Sequence, residues 1–271
     1  MDFYKTVYTQ PNAPQVFNRS LRETGFAVIQ AHPIPSQLIS GVYQEWQAFF
    51  ASTAKFAYRF DPQVQSGYFP YQTEQAKGYH TPDLKEFFHI YPFTTLPVGM
   101  SDRTWELYHA LHRLAEELLG WLEVRADFLQ RAIANSQATL LRILHYPPLP
   151  DQVEDGAIRA AAHEDINLIT LLPAATGSGL EVLDNEGVWH RLPCEVGEII
   201  VNVGDMLQLA TDGYYRSTTH RVVNPSADQG DRHLSRYSMP LFLHPRPEVE
   251  LAQGITAKSY LEQRLKEIKL K

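Results

Sequence analysis

The chain has 271 residues, of which 44% are hydrophobic and 20% charged, and its 24 Lys and Arg against 31 Asp and Glu give a net charge of −7. This acidic balance, without any basic run, argues against binding to nucleic acid or to an anionic membrane surface. The single cysteine, Cys194, excludes an intramolecular disulfide and every cysteine-rich metal site, so any metal must be held by His, Asp or Glu.

The first residues lack the apolar core of a secretion signal, and no segment approaches the ~20 apolar residues of a membrane span. We therefore expect a cytoplasmic, unprocessed protein with no membrane, nucleic-acid or protein partner.

The first half of the chain is predicted to be mainly helical. Phe17 to Thr24 has helical character, Gly25 is a typical helix stop, and residues 26–29 are typical of a buried strand. A second amphipathic helix is predicted from Ser36, its N-cap. A third covers about residues 102–123, where leucines recur at helical spacing.

The second half is rich in aliphatic and β-branched residues interrupted by Gly and Pro. The predicted strands are residues 140–144, 168–172, 179–183, 198–203, 206–209, 214–223 and 237–243. Short strands at this spacing indicate an α+β protein with a jelly-roll core, also called a double-stranded β-helix. We expect residues 1–135 to form an N-terminal helical and strand region packed on this barrel. Residues 136–271 are expected to form the core and a C-terminal helix, the whole being one compact unit.

Two segments are candidates for contacting a substrate and forming a lid. The first is the aromatic part, residues 68–79, of a polar segment covering residues 61–83, which we expect to be an ordered loop over the barrel. The second is residues 256–271, predicted to be an amphipathic helix.

One His-x-Asp pair, His163 and Asp165, is a candidate metal-binding element. About one such pair is expected by chance in a chain of this composition, but a strand pattern follows it, and residues i and i+2 of a strand share a face. Two His and one carboxylate on one face are the ligands of mononuclear non-haem iron oxygenases. The candidates for the second histidine are His190, His220, His233 and His244, and His220 is favoured because it lies in a strand-like run. Structural roles are expected for the earlier histidines, His32, His80, His89, His109 and His112.

Arg236 and Ser238 form the single Arg-x-Ser in the chain. On a strand they would share a face, and a guanidinium beside a hydroxyl suits a carboxylate held end-on. The alternative is that Arg236 forms an ordinary surface ion pair.

Together these residues resemble the iron(II)- and 2-oxoglutarate-dependent oxygenases, in the branch that includes isopenicillin N synthase, the aminocyclopropane-carboxylate oxidases and the gibberellin oxidases. The similar motifs are residues 141–148 (LRILHYPP), 163–165 (HED), 168–172, 179–182 (GLEV), 189, 197–205 (GEIIVNVGD), 219–222 (THRV) and 236–238 (RYS). Weaker landmarks at residues 25–26, 32 and 83–86 extend the resemblance over nearly the whole chain.

The resemblance implies that His163, Asp165 and His220 bind iron(II). It implies that Arg236 and Ser238 bind the distal carboxylate of 2-oxoglutarate, with the Tyr146 hydroxyl as a third contact. The implied reaction uses O2, releases succinate and CO2, and oxidises a small-molecule substrate, usually by hydroxylation. Ascorbate is a candidate auxiliary reductant.

Two features depart from the family pattern. Leu144 stands where many relatives carry Asn, and residues 224–235 form a longer connection than usual. Asn202, Gly204 and Asp205 match the family and are interpreted as turn and barrel architecture.

Two alternatives stay open at this point. An oxidase of the same fold would use iron and O2 without 2-oxoglutarate, and its Arg-x-Ser pair would hold a substrate carboxylate. A catalytically dead barrel would serve as a binding module, but it is expected to have lost a ligand or the arginine.

Overall fold

The structure is a computed structural model that describes the chain except for residues 62, 64, 77, 151, 226–229, 268 and 271. Its α-helices are α1 Ala13–Thr24, α2 Ser36–Ala51, α3 Arg103–Gly120, α4 Ala126–Ile133, α5 Asp205–Ala210 and α6 Ala257–Glu267. Short 3₁₀ helices cover Thr53–Tyr58 and Gly230–His233.

The strands build two main sheets. They are β1 Lys5–Val7, β2 Phe26–Gln30, β3 Gly67–Phe69, β4 Glu74–Gln75, β5 Glu86–Ile90, β6 Leu140–Tyr146, β7 Ala160–His163, β8 Ile169–Pro173, β9 Leu180–Leu183, β10 Trp189–Arg191, β11 Ile199–Val203, β12 His220–Val222, β13 Arg236–Ser238, β14 Leu241–Leu243, β15 Glu250–Ala252, β16 Ile255–Thr256 and β17 Lys269–Leu270. The major sheet has the order β1-β2-β11-β8-β14-β6-β5-β3, with β13 also paired to β6. The minor sheet has the order β10-β9-β12-β7.

Two apolar clusters lie on the two faces of the major sheet. The larger cluster packs one face against α1 to α4, with Trp46, Leu111 and Leu118 fully buried in it. The smaller cluster joins residues of both sheets, such as Leu144 from β6 and Val222 from β12, and therefore lies between them. These paired sheets form the predicted jelly-roll core, and the space between them is the barrel interior.

Several predicted elements of the first half are confirmed. The helix ending at Thr24 is α1, and Gly25 follows it with φ 75°, the left-handed conformation that glycine adopts readily. The helix from Ser36 and the helix of residues 102–123 are α2 and α3. Ser36 is not the predicted cap, because it is already the first helical residue and Pro35 holds the N-cap position.

Two predicted strands are wrong. Met206 to Leu209 lies inside α5, because Met206, Leu207 and Ala210 are buried at helical spacing, and so short an apolar run does not distinguish helix from strand. Tyr214 to Val223 is extended only at β12. The buried Tyr215 instead holds its segment as a loop by hydrogen bonding through its hydroxyl to Asn18 and the Glu123 backbone.

The two candidate lid segments also differ from expectation. Residues 61–83 are not a simple loop, because β3 joins the major sheet through β5, and Tyr68 and Phe69 are buried. The C-terminal helix ends at Glu267, and Lys269–Leu270 pairs with Glu74–Gln75 of β4. The predicted helical residues Ile268 and Lys271 lie outside the described residues.

The first 135 residues contribute β1, β2, β3 and β5 to the major sheet. A boundary at residue 135 stays a prediction. No helix among the described residues is both long and apolar enough to cross a membrane.

Candidate active site

His163 and His220 lie beside each other on neighbouring strands of the minor sheet. They are paired residues of β7 and β12, and their rings are 4.5 Å apart. The Nδ1 atom of His163 lies 2.7 Å from the Ala161 carbonyl oxygen, and that of His220 lies 3.1 Å from the Thr218 carbonyl oxygen. Because a carbonyl only accepts, each Nδ1 carries the proton, and both Nε2 atoms are left as electron-pair donors.

Asp165 joins the two histidines, but not through the predicted arrangement in which residues i and i+2 of one strand share a face. It lies beyond the end of β7 at His163, so the two side chains do not converge through strand alternation. The Asp165 Oδ1 atom is instead 3.9 Å from His163 Nε2 and 3.8 Å from His220 Nε2.

Thr170 and Asn202 orient the Asp165 carboxylate. The Thr170 hydroxyl and the Asn202 amide donate to its Oδ2 at 2.6 and 2.8 Å, which leaves Oδ1 directed at the histidines. Asn202 therefore does more than the architectural role that the sequence suggested. Gly204 is architectural as predicted, since a Cβ there would collide with the Asn167 backbone.

The electrostatics of the group suit a cation. Burial lowers the pKa of His220 and keeps its imidazole neutral. Burial also raises the pKa of Asp165, but the neighbouring His220 and His163 and the hydrogen bonds from Asn202 and Thr170 outweigh it and hold the pKa below its ordinary value. One carboxylate and two neutral imidazoles are thus available together.

The donor atoms of His163, Asp165 and His220 lie within 4.8 Å of one another. Among the described residues, this is the one group of three or more His, Cys, Asp or Glu side chains that could hold a metal ion. The donor set and its hydrogen-bonded supports fit a non-haem iron ion. The other candidate histidines, His190, His233 and His244, are outside the group. His190 is paired with Asp184 at 2.6 Å.

Arg236 and Ser238 lie together on β13, next to Tyr146 and Leu144 of β6. Arg236 is only 3% exposed. Its Nε donates to the Gly177 carbonyl at 3.0 Å, its Nη1 is 3.4 Å from the Ser238 hydroxyl, and its guanidinium lies 5.0 Å from the centre of the Tyr146 ring. None of the carboxylates in the described part of the chain forms an ion pair with it.

Arg159 is a second buried guanidinium that the sequence analysis missed. It is 3% exposed, its Nη2 donates to the Leu234 carbonyl at 3.3 Å, and its Nε has no hydrogen-bond partner among the described residues. Burial lowers its pKa, and so does the positive charge of Arg236. Two cations are therefore close together, and no carboxylate of the described residues forms an ion pair with either of them.

A cavity of about 440 Å³ adjoins Arg236 and is lined by residues of both sheets, including Leu172, Leu180 and Ile200. The guanidinium is thus on the wall of a space inside the barrel. Leu144, which pairs with Ser238 on the neighbouring strand, is part of the apolar cluster between the sheets and adds no polar group beside Ser238.

The C-terminal helix contacts the connection that carries Asp165. Arg264 of α6 is 2.9 Å from Asp205 Oδ2 and 3.8 Å from Glu164 Oε2, and Glu164 also accepts a hydrogen bond from Thr219. A lid role for α6 and for residues 68–79 stays a prediction.

Comparison with known proteins agrees with this geometry. The profile of the 2OG-Fe(II) oxygenase superfamily matches residues 137–245, and that of the non-haem dioxygenase N-terminal region matches residues 8–112. A 2-oxoglutarate-dependent dioxygenase from Monascus ruber is 30% identical over 250 residues, covering 81% of this chain and 74% of the relative.

Solved structures share the fold. A Shewanella oneidensis protein described as an oxygenase is 46% identical, with a TM-score of 0.87 over 98% of both chains. A Neurospora crassa protein solved in complex with alpha-KG is 22% identical, with a TM-score of 0.84 over 97% of this chain and 96% of that one. The predicted family is confirmed: the chain belongs to the 2-oxoglutarate- and iron(II)-dependent oxygenase superfamily.

Proposed function

We propose that this protein is a dioxygenase that uses iron(II), 2-oxoglutarate and O2 to oxidise a small molecule, releasing succinate and CO2. His163, Asp165 and His220 are the proposed iron ligands. Arg236, Ser238 and Tyr146 are the proposed binding residues for the distal carboxylate of 2-oxoglutarate.

The observation that carries the proposal is the uncompensated charge of Arg236. A buried guanidinium without a carboxylate partner is costly, and an anion from solution removes that cost. Arg159 strengthens this argument, because it is a second buried cation that forms no ion pair with a carboxylate of the described residues. A dicarboxylate that reaches from the three donor atoms to Arg236 satisfies both requirements.

When bound, iron(II) supplies the redox chemistry that couples O2 reduction and 2-oxoglutarate decarboxylation to substrate oxidation. The protein contributes orientation. The Ala161 and Thr218 carbonyls select the histidine tautomers, and the two donors on Asp165 Oδ2 aim its other oxygen. Phe26 packs edge-on against His220, with ring centres 5.5 Å apart, and restrains that ring.

The test is succinate formation from 2-oxoglutarate with iron(II), ascorbate and O2. The wild-type protein is expected to bind iron and form succinate, and the double variant His163→Ala and His220→Ala is expected to lose both. His190→Ala is the matched control, because His190 pairs with Asp184 outside the donor group and its loss leaves both properties unchanged.

Two results would contradict the proposal. Full iron retention by the double variant would remove the assigned ligands. An iron-loaded protein that neither binds nor consumes 2-oxoglutarate would instead indicate an oxidase that works without this cosubstrate.

A further inference from the structure

Arg142 lies on the inner face of the barrel, away from Arg236. On β6 it shares a face with Leu144 and Tyr146, and Tyr146 is the residue paired with Arg236. At about 3.3 Å per residue, Arg142 is roughly 13 Å along the strand from Tyr146. The two arginines therefore occupy different ends of the interior.

The end that holds Arg142 is the end that holds the metal-binding group. Thr170, which donates to Asp165, is paired with Phe242 on the neighbouring strand, and the Arg142 guanidinium lies 5.5 Å from the centre of the Phe242 ring. The Arg142 and His163 side chains remain 19% and 39% exposed although both face inward. Both side chains are therefore accessible to a ligand.

Hydrogen bonds hold the Arg142 guanidinium in place, and one of its edges has no hydrogen-bond partner among the described residues. Its Nη1 lies 3.2 and 3.3 Å from the two oxygens of Glu74, and its Nε donates to His89 Nε2 at 2.9 Å. Burial and the Arg142 charge keep the pKa of His89 well below its ordinary value, so the ring is neutral and can accept. The Nη2 atom has no partner in the part of the chain that the structure describes.

The Arg142 guanidinium also lies over two aromatic rings. The guanidinium lies 4.6 Å from the centre of the Phe87 ring in addition to its contact with Phe242. Phe87 is in turn stacked on Phe69, with ring centres 4.4 Å apart. Phe87 is fully buried, so the partly buried Phe242 is the ring that a ligand could contact, and a flat ring beside a fixed donor suits a planar ligand.

The charges around Arg142 already balance. Lys85 contacts Glu74 at 2.6 Å and Asp83 at 2.7 Å, so Asp83, Lys85, Glu74 and Arg142 form a buried chain of two anions and two cations. An additional carboxylate here would lie beside Glu74 without a free positive charge to offset it, whereas a neutral acceptor adds no charge.

We infer that Arg142 anchors the substrate through its Nη2 edge, and that the substrate is a flat, uncharged molecule with a carbonyl-type acceptor. This inference rests on the proposed function, because it names the substrate class of the same site. The carbonyl oxygen would accept from Nη2, the ring would pack against Phe242, and the bond to be oxidised would face the proposed iron ligands.

Benzamide and benzoate provide a matched pair of probes, because they share a shape and differ in charge. Each is titrated without O2 into the protein loaded with iron(II) and 2-oxoglutarate, and binding is followed through the metal-to-ligand absorption band. The wild-type protein is expected to bind benzamide about tenfold more tightly than benzoate, because the benzoate carboxylate would lie beside Glu74 without a free positive charge to offset it.

The variant Arg142→Met keeps the apolar stem and removes the donors, and it is expected to lose about tenfold of the affinity for benzamide. Arg103→Met, which removes an exposed arginine paired with Glu45, is the control and keeps it. Should Arg142→Met fail to fold, Arg142→Lys retains the charge without the fork and is expected to lose affinity for benzamide as well.

The inference is overturned by equal or tighter binding of benzoate, by no measurable binding of benzamide at millimolar concentration, or by an affinity for benzamide that is unchanged in the Arg142 variant. Failure of the proposed function has a different signature, since the absorption band would then not form when 2-oxoglutarate is added, before any probe is present.

Discussion

The barrel interior contains guanidinium groups at two ends, and they differ in what neutralises them. Arg142 is paired with Glu74 within a chain of balanced charges. Arg236 and its neighbour Arg159 donate only to neutral groups among the described residues. Because an unpaired buried charge is costly, the second end needs an anion from solution, and the first end does not. The end with Arg236 is therefore the proposed cosubstrate end, and the end with Arg142 is the proposed substrate end.

The largest expected effect comes from removing the unpaired charge at the cosubstrate end. Arg236→Gln is expected to weaken 2-oxoglutarate binding by about 4 kcal/mol, roughly a thousandfold, because a buried charge-assisted pair is lost. Calorimetric titration of the metal-loaded protein measures this. Arg103→Gln is the control, and an unchanged affinity in Arg236→Gln would place the distal carboxylate elsewhere.

The next largest effect is expected from removing a negative charge at the Arg142 end. Glu74→Gln leaves Arg142 and Lys85 with one carboxylate between them, and we expect it to lower the free energy of unfolding by about 3 kcal/mol at neutral pH. Denaturant unfolding measures this loss, with the exposed Glu23→Gln as a control expected to change little.

The pH dependence of that loss provides a sharper test. Burial raises the pKa of Glu74, but Arg142 and Lys85 outweigh it and hold the pKa well below its ordinary value of 4.5. A carboxyl group with a lower pKa in the folded chain stabilises the fold above its unfolded pKa, and this contribution is lost as the pH falls. The gap between wild type and Glu74→Gln should therefore shrink below pH 4.5. A gap that stays constant with pH would show that Glu74 is not ionised in the folded protein.

The smallest expected effect concerns the second cation of the cosubstrate end. Arg159→Gln is expected to weaken 2-oxoglutarate binding about tenfold, or about 1.4 kcal/mol, since Arg236 still contacts the carboxylate. Tighter binding in this variant would mean that Arg159 does not act on the anion.

The sequence predicted the jelly-roll class and the candidate donors because their signals are local or occur in a characteristic order. His163, Asp165 and the Arg-x-Ser pair are short patterns, and His220 lies in an extended run. How Asp165 is aimed could not be predicted, because its support comes from Thr170 and from Asn202 on another strand.

The arginines that distinguish the two ends were harder to recognise. Arg142 was part of a strand motif, but its partners Glu74 and His89 are 68 and 53 positions away, so their contact depends on the completed sheet. Arg159 precedes a short alanine-rich strand and has no local motif. Its burial beside Arg236 follows only from how the sheets close.

The most direct test of the account is a crystal structure of the protein grown without O2 in the presence of iron(II) and 2-oxoglutarate. The account predicts a metal ion bound by His163, Asp165 and His220, and a dicarboxylate that extends from it to Arg236. A dicarboxylate held by Arg142, or a metal bound by other side chains, would contradict it.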